Sequence, residues 1–315
     1  MTVNILLATY NGEKFLQDQL ASIVNQSYTE WRLYISDDGS TDATNDIIQN
    51  FQNKYCDKVF VLKNAIPFKN AKDNFINLVN RTDGDLFLFC DQDDVWQEDK
   101  LYNMISKYQS LPDYNKKRPV LMHSDLIVVD AELKIIAPSF MKFANINPCF
   151  NYPKSYLIQN NVTGCTMLIN DVLRDLFVAC LNKCKSLQKD IIMHDWFFAL
   201  IAAYFGEVHF VNTKDIFYRQ HGSNVVGAKN ARSIKLLIKH FFKFKENIIS
   251  MEEVFKQAYV FLKMFEDLLS ESDALLLVKF SKLNTHCKIY RIMFIIKNKL
   301  WKNGVYRKLA QILFI

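Results

Sequence analysis

Three carboxylates, Asp91, Asp93 and Asp94, fall within four positions directly after an uninterrupted apolar run, Leu86-Phe87-Leu88-Phe89-Cys90. Charged groups beside a core strand cost stability unless something compensates. Along an extended chain, residues i and i+2 point the same way, so Asp91 and Asp93 can converge on one point. Two hard oxygen ligands at such a point suit Mg²⁺ or Mn²⁺, with a phosphate supplying further ligands. The plainer alternative is an acidic turn that caps a helix starting near Glu98. The apolar run before the triplet and Trp96 after it favour a metal–phosphate site.

Four further places combine polar types that could do chemistry. His123 and Asp125 alternate onto one face of an apolar strand; they form either a satisfied core pair or a contact to a polar ligand. Gly164 enters a strand from a polar turn and permits close backbone approach to a ligand. Asp195, before Trp196 and the apolar run 197–201, stands where an acid ordinarily caps a helix. Arg219 and His221 reach one side of a strand. Arginine can grip diphosphate oxygens and neutral histidine can ligate a metal, against the alternative of a basic surface turn.

The elements that must position these groups alternate. Residues 3–8 form a short apolar strand ending in Thr9-Tyr10-Asn11-Gly12, and apolar residues then recur at helical spacing to about Asn25. A second strand, 33–35, ends in Ser36-Asp37-Asp38-Gly39-Ser40-Thr41-Asp42, followed by a helix over 43–55, in which Asp42 is a cap. A third strand spans 59–62, a helix covers 73–80, and the Asp-bearing strand is the fourth. Strand, polar turn and helix in repetition predict an α/β fold: a mostly parallel sheet flanked by helices, with ligands beyond the carboxyl ends of the strands. One strand is expected over 120–129, a long acceptor-side flap over 137–155, and a helix from Asp171 to about Lys185. No glycine-rich dinucleotide or P-loop signature occurs.

The chain has 315 residues, enough for a full core, and nothing points to nucleic acid. Charge is uneven: residues 226–315 hold 17 Lys+Arg against 7 Asp+Glu. Basic residues interleave there with apolar ones at 234–242 and 289–301, which predicts amphipathic helices lying on an anionic membrane or packing on the body or a second subunit. His240 and His286 are expected at the surface. The seven cysteines, including Cys180 and Cys184, lack metal-type spacing and fit free thiols in a reducing compartment. The first strand begins by residue 3, so no signal peptide is expected, and no run reaches the ~18 apolar residues of a span.

Thr9-Tyr10-Asn11-Gly12, Ser36-Asp37-Asp38-Gly39-Ser40-Thr41-Asp42 and Asp91-Gln92-Asp93-Asp94 together resemble the nucleotide-sugar half of glycosyltransferase family 2, with a GT-A fold; the likeness covers about residues 2–225. It implies a catalytic domain over 1–227, with a nucleotide-sugar half to about residue 100 and an acceptor half from 101, and a basic helical C-terminal region over 228–315. It implies that Thr9, Tyr10, Asn11 and Asp91 bind the nucleotide, and that Asp38 accepts the pyrimidine N3–H, for which a carboxylate is chemically suited. Asp93 and His221 would hold Mg²⁺ or Mn²⁺ on the diphosphate, and Asp195 would be the general base of an inverting transfer. Asn74, Asp94, Trp96, His123, Asp125, Gly164, Trp196 and Arg219 would contact donor or acceptor, with Trp196 stacking on a sugar.

Within the family, Asp91-Gln92-Asp93-Asp94-Val95-Trp96, His123-Ser124-Asp125-Leu126 and Arg219-Gln220-His221-Gly222-Ser223-Asn224 are similar to bacterial rhamnosyltransferases using dTDP-L-rhamnose. The resemblance implies transfer to a glycan or lipid-linked acceptor for cell-surface polysaccharide, in the cytoplasm at the inner face of the membrane; a homodimer is a further option for its partners. A UDP-hexose donor, or a non-catalytic nucleotide-binding role in a glycan assembly complex, are the alternatives.

Overall fold

The computed structural model describes residues 1–150, 152–221 and 244–315. Its first half alternates as the periodicity predicts: β1 (Val3–Thr9), α1 (Leu16–Val24), β2 (Trp31–Asp37), α2 (Thr44–Lys54), β3 (Val59–Val61), α3 (Ala71–Arg81) and β4 (Leu86–Cys90). β1 pairs in parallel with β2 and β4, and β2 with β3. All five β4 residues are buried, as a continuous apolar run requires of a strand covered on both faces.

The second half supplies β5 (Val95–Trp96), α4 (Lys100–Gln109), α5 (Asp113–Lys116), β6 (Val120–Ser124), β7 (Ile127–Val129), β8 (Ile135–Ala137), α6 (Phe140–Phe143), β9 (Leu168–Asn170), α7 (Asp171–Lys183), α8 (His194–Phe205), β10 (Glu207–Val211) and β11 (Ile216–Arg219). The main sheet runs β10-β6-β9-β4-β1-β2-β3, and β9 lies antiparallel to both of its neighbours. Asn170 fixes that insertion. Its Oδ1 accepts from the Val120 and Leu173 amides, and its Nδ2 donates to the Lys116 and Arg118 carbonyls.

The single strand expected over 120–129 is two. β6 belongs to the main sheet, whereas β7 joins a smaller one of order β5-β11-β7-β8. Asp125 causes the switch: its carboxylate accepts from the Leu126 and Met141 amides and the Ser139 hydroxyl, closing a turn where a strand would have continued.

Four helices end the chain: α9 (Phe244–Phe265), α10 (Glu271–Ser281), α11 (Lys288–Asn298) and α12 (Val305–Phe314). The helix expected over 234–242, with His240, Gly222-Ser223-Asn224 and the 227/228 boundary, lies outside the described residues. α9 is more than an appendage. Phe261 packs on Phe197 and Phe205 of α8, with ring centroids 6.1 and 5.9 Å apart, and Phe255 packs on Phe280 at 5.2 Å. Burying each such ring contributes about 1.5–3 kcal/mol, so the tail shares the core of the body. All seven cysteines are unpaired, and His286 is exposed as expected.

Candidate active site

The ends of β1, β2 and β4 converge on one polar cleft. At the end of β2, Asp37 organises the turn. It accepts from the Gly39 and Ser40 amides and from the Thr9 hydroxyl at 2.9 Å. Thr9 is therefore buried and braces Asp37; it does not face a base. Asn11 is likewise tied, its Oδ1 accepting from the Thr41 amide. Tyr10 alone of this turn presents its ring, 56% exposed, to the cleft. Asp42 accepts from the amides of Thr44, the first residue of α2, and Glu13; it stands one residue before the N-cap position, which is Ala43, and so ties the turn to the helix start without occupying the cap.

Asp38 is nearly buried beneath residues 67–70, and its Oδ1 accepts from the Phe68 amide. Burial raises its pKa, opposed by the amides of Phe68, Lys69 and Asn70. Asn74 lies behind it and donates to the Ser36 carbonyl, so it supports the turn and does not line the cleft.

The turn after β4 is stitched to the first turn by Gln92, whose side-chain amide bonds both the N–H and the carbonyl of Tyr10. Gly12 makes that possible, because a Cβ there would collide with Gln92. Asp93 reaches His221 from the far end of β11, with Nε2 2.6 Å from Oδ2, and the His221 ring rests 4.8 Å from Phe15. This is the pair the sequence suggested for a cation. A carboxylate oxygen and an imidazole nitrogen are suitable ligands for a divalent ion, for which the two side chains would open from their mutual hydrogen bond.

Behind them the cluster is short of positive charge. Asp91, Asp94 and Cys165 bring their ligand atoms within 4.8 Å of one another. Burial, then the charges of Asp93 and Asp195, push Asp91 up to about 7; burial, then the Asp93 and Asp91 charges, also raise Asp94 well above the usual carboxylate range. Lys100 lies on the opposite side of this cluster, wholly buried, its ammonium 3.2 Å from the Cys165 carbonyl and 4.7 Å from the centre of the Trp96 ring.

Asp195 completes the cleft from the first turn of α8, close enough to Asp91 for their charges to interact. Its Oδ1 accepts from the Trp196 amide at 2.6 Å, and the Gly164 amide and Asn160 side chain also bond it. Burial outweighs these bonds and pushes its pKa up to about 6. Gly164 earns its place by that approach: a Cβ would sit 3.0 Å from His194 Nε2. Its backbone thus serves Asp195, not a ligand.

Several expected contacts turn out to be internal. Asp94 is buried and its Oδ1 accepts from the Arg219 amide, so no sugar reaches it. Trp96 is core, under Lys100. His123 is buried against Phe210, and burial drives it down to about 3 against the pull of the Pro148 carbonyl, so it stays neutral. Asp125 closes the sheet-switching turn and does not pair with it. Trp196 donates its indole N–H to the Tyr156 carbonyl, which makes it a wall beneath the acceptor-side loop. Arg219, only 3% exposed, spends its guanidinium on the Asp93 and Ala131 carbonyls and the Asp18 carboxylate, and lies 4.4 Å over Phe15. It braces the turn that carries Asp93, and its N–H groups are taken by protein oxygens. Gln92, Lys100, Phe15 and Asn160 were not anticipated. Gln92 stood inside the motif and carried a signal; Lys100 resembles any helix-start lysine.

One consequence is measurable without substrate. An unfolded aspartate titrates near 3.9, about three units below folded Asp91. Ionising Asp91 therefore costs the fold stability as pH rises from about 4 to about 7. Asp91→Asn cannot ionise. In EDTA its thermal midpoint should match wild type at pH 4 and exceed it above pH 7 by on the order of a few degrees, by calorimetry.

Comparison with known proteins agrees with this geometry. The profile of glycosyl transferase family 2 matches residues 4–115. The dTDP-rhamnosyl transferase RfbG of Shigella flexneri is 30% identical over 226 residues, covering 70% of this chain and 74% of that one. The glucosyltransferase WfgD of Escherichia coli, which uses UDP-Glc on a GlcNAc-diphosphoundecaprenol, is 29% identical over 104 residues, 33% of this chain and 40% of its own. Among solved structures, Staphylococcus aureus TarS 1-349 with UDP-GlcNAc superposes with TM-score 0.53 at 14% identity, over 99% of this chain and 90% of that one; this likeness concerns the fold, of GT-A type.

Proposed function

Because this chain belongs to glycosyl transferase family 2, we propose that it moves a sugar from a pyrimidine nucleotide donor to a glycan or lipid-linked hydroxyl with inversion, in cell-surface polysaccharide synthesis. The observation that carries the reading is the convergence of Asp195, from α8, on the Asp91–Asp93 turn more than a hundred residues earlier in the chain. The acceptor oxygen attacks the anomeric carbon, the bond from that carbon to the diphosphate oxygen breaks on the opposite face, and Asp195 takes the hydroxyl proton. A carboxylate that titrates near 6 is ionised at neutral pH yet more basic than a free one. Asp93 and His221 would hold Mg²⁺ or Mn²⁺. Such an ion, when bound, offsets the charge on the diphosphate leaving group. Tyr10 meets the base or ribose, and Asp38 reads the pyrimidine N3–H once residues 67–70 withdraw from its carboxylate.

The catalytic domain comprises residues 1–227, its donor half ending near residue 100, followed by a C-terminal region over 228–315. The donor is dTDP-L-rhamnose, a reading supported by the likeness to RfbG over 70% of the chain; the narrower likeness to WfgD supports the UDP-hexose alternative. The enzyme works at the cytoplasmic face of the membrane, with the tail as its contact. No helix among the described residues is long and apolar enough to cross a membrane.

A thermal-shift panel tests the donor. A ligand at 100 times its Kd contributes about 2.7 kcal/mol. With Mn²⁺, dTDP-L-rhamnose should raise the midpoint more than UDP-glucose or UDP-GlcNAc, and EDTA should remove most of the shift. A larger shift with a UDP-hexose would transfer the assignment to that donor. No shift with any nucleotide would sink the transferase reading.

A further inference from the structure

We propose that the hairpin of α11 and α12 is a foot that seats on an anionic lipid bilayer. This deepens the tail reading above by naming the surface and its occupant. α11 buries Phe294 and Ile295 and exposes Ile289, Met293 and Ile296, three positions on one helical face. α12 exposes Val305, Leu309 and Ile312 at the same i, i+4, i+7 spacing, and Leu313 beside them. Ile289 is 73% and Val305 71% exposed, far more than a core-facing stripe allows. The two helices run side by side: the Lys288 ammonium donates to the Leu313 carbonyl at 2.9 Å, and Ile292, Ile295, Trp301, Ile312 and Ile315 close on one another between them.

Charge decides the occupant. Residues 286–315 contain seven Lys and Arg and no Asp or Glu. Lys288, Lys297, Lys299 and Lys308 are all exposed beside the apolar positions. Two copies of this face would meet with like charge and no acid between them, which opposes a homodimer there. An anionic bilayer offers both an apolar interior and a negative surface. Helices of 11 and 10 residues are too short to span and suited to lie in the interface. The foot is also anchored to the body. Arg307 donates to the Ala144 and Asn145 carbonyls, and the Asn303 amide to Gln159 Oε1. The loop it holds continues to Asn160, which bonds Asp195. A seated foot therefore presents the acceptor side of the cleft toward lipid.

The test uses the full-length chain and no nucleotide, so it stands apart from the donor assays. Vesicles of phosphatidylcholine alone and of phosphatidylcholine with phosphatidylglycerol are pelleted with the protein. Partition onto the mixed vesicles should be greater by at least about tenfold and fall with added salt. Met293→Glu with Leu309→Glu, and separately Lys297→Glu with Lys308→Glu, should each reduce it to the level of neutral vesicles, with far-UV dichroism unchanged. Equal partition onto both vesicle types, or salt-insensitive partition by wild type, overturns the proposal even if a variant misfolds. So does a wild-type dimer in lipid-free sedimentation that Met293→Glu with Leu309→Glu converts to monomer, since the face would then belong to a second copy.

Discussion

Asp195→Asn should lower kcat by about 10²–10⁴-fold while leaving nucleotide affinity near the wild-type value. The choice of asparagine separates the two roles this position could have. Asparagine keeps a side-chain oxygen that can accept from the Trp196 amide, so a residue that only steadied the first turn of α8 would tolerate the exchange. Asparagine cannot accept the acceptor proton, so a base would not. The pH profile provides a second reading. Burial holds Asp195 up at about 6, and only its ionised form is competent. Wild-type kcat/KM should therefore fall as pH drops through about 6, tenfold per unit below it, and the residual activity of Asp195→Asn should lack that limb. Steady-state kinetics between pH 5 and 8, paired with isothermal titration of the nucleoside diphosphate, check both. Full turnover by the variant would remove Asp195 from the chemistry.

Asp93→Asn should have a comparable effect on rate but a different signature in binding. Mutating partners that only orient a metal ligand typically costs 10–100-fold in metal affinity. Loss of the carboxylate itself should weaken Mn²⁺ by more than about 100-fold, read directly by electron paramagnetic resonance of free Mn²⁺ in the presence of nucleotide. His221, which now has Asp93 within 2.6 Å, keeps its place on Phe15, so the fold should survive the change. Unaltered Mn²⁺ titration by Asp93→Asn would mean that the pair meets for structural reasons alone.

The architecture was legible because period carries it. Apolar runs with turn residues between them gave β1 to β4 and the helices between, and an acid triplet at the end of a run gave the cleft. What spacing could not convey is which faces become covered. His123 and Asp125 alternate properly for one face, but the chain turns at Asp125 into another sheet, and both end up inside. Arg219 looks like a phosphate ligand in sequence because nothing local shows that the Asp93 and Ala131 carbonyls and Asp18, from three distant segments, will occupy its N–H groups. Trp96 and Asp94 failed for the same reason. The meeting of Asp93 and His221 was readable because each lies just past a strand end, where an α/β sheet leaves its rim open.

The antiparallel insertion of β9 has a bearing on biosynthesis. β4 needs residues 168–170 as its outer neighbour. Until that part of the nascent chain leaves the ribosome, the ribbon carrying the aspartates has one bare flank. Leu86 to Cys90 holds no charge or proline to deter a stranger from pairing there. The N-terminal portion is thus a poor candidate for an independently transplantable module, and an excised 1–115 piece invites self-association. Evolution could exchange the periphery of this molecule more readily than it could separate its two halves.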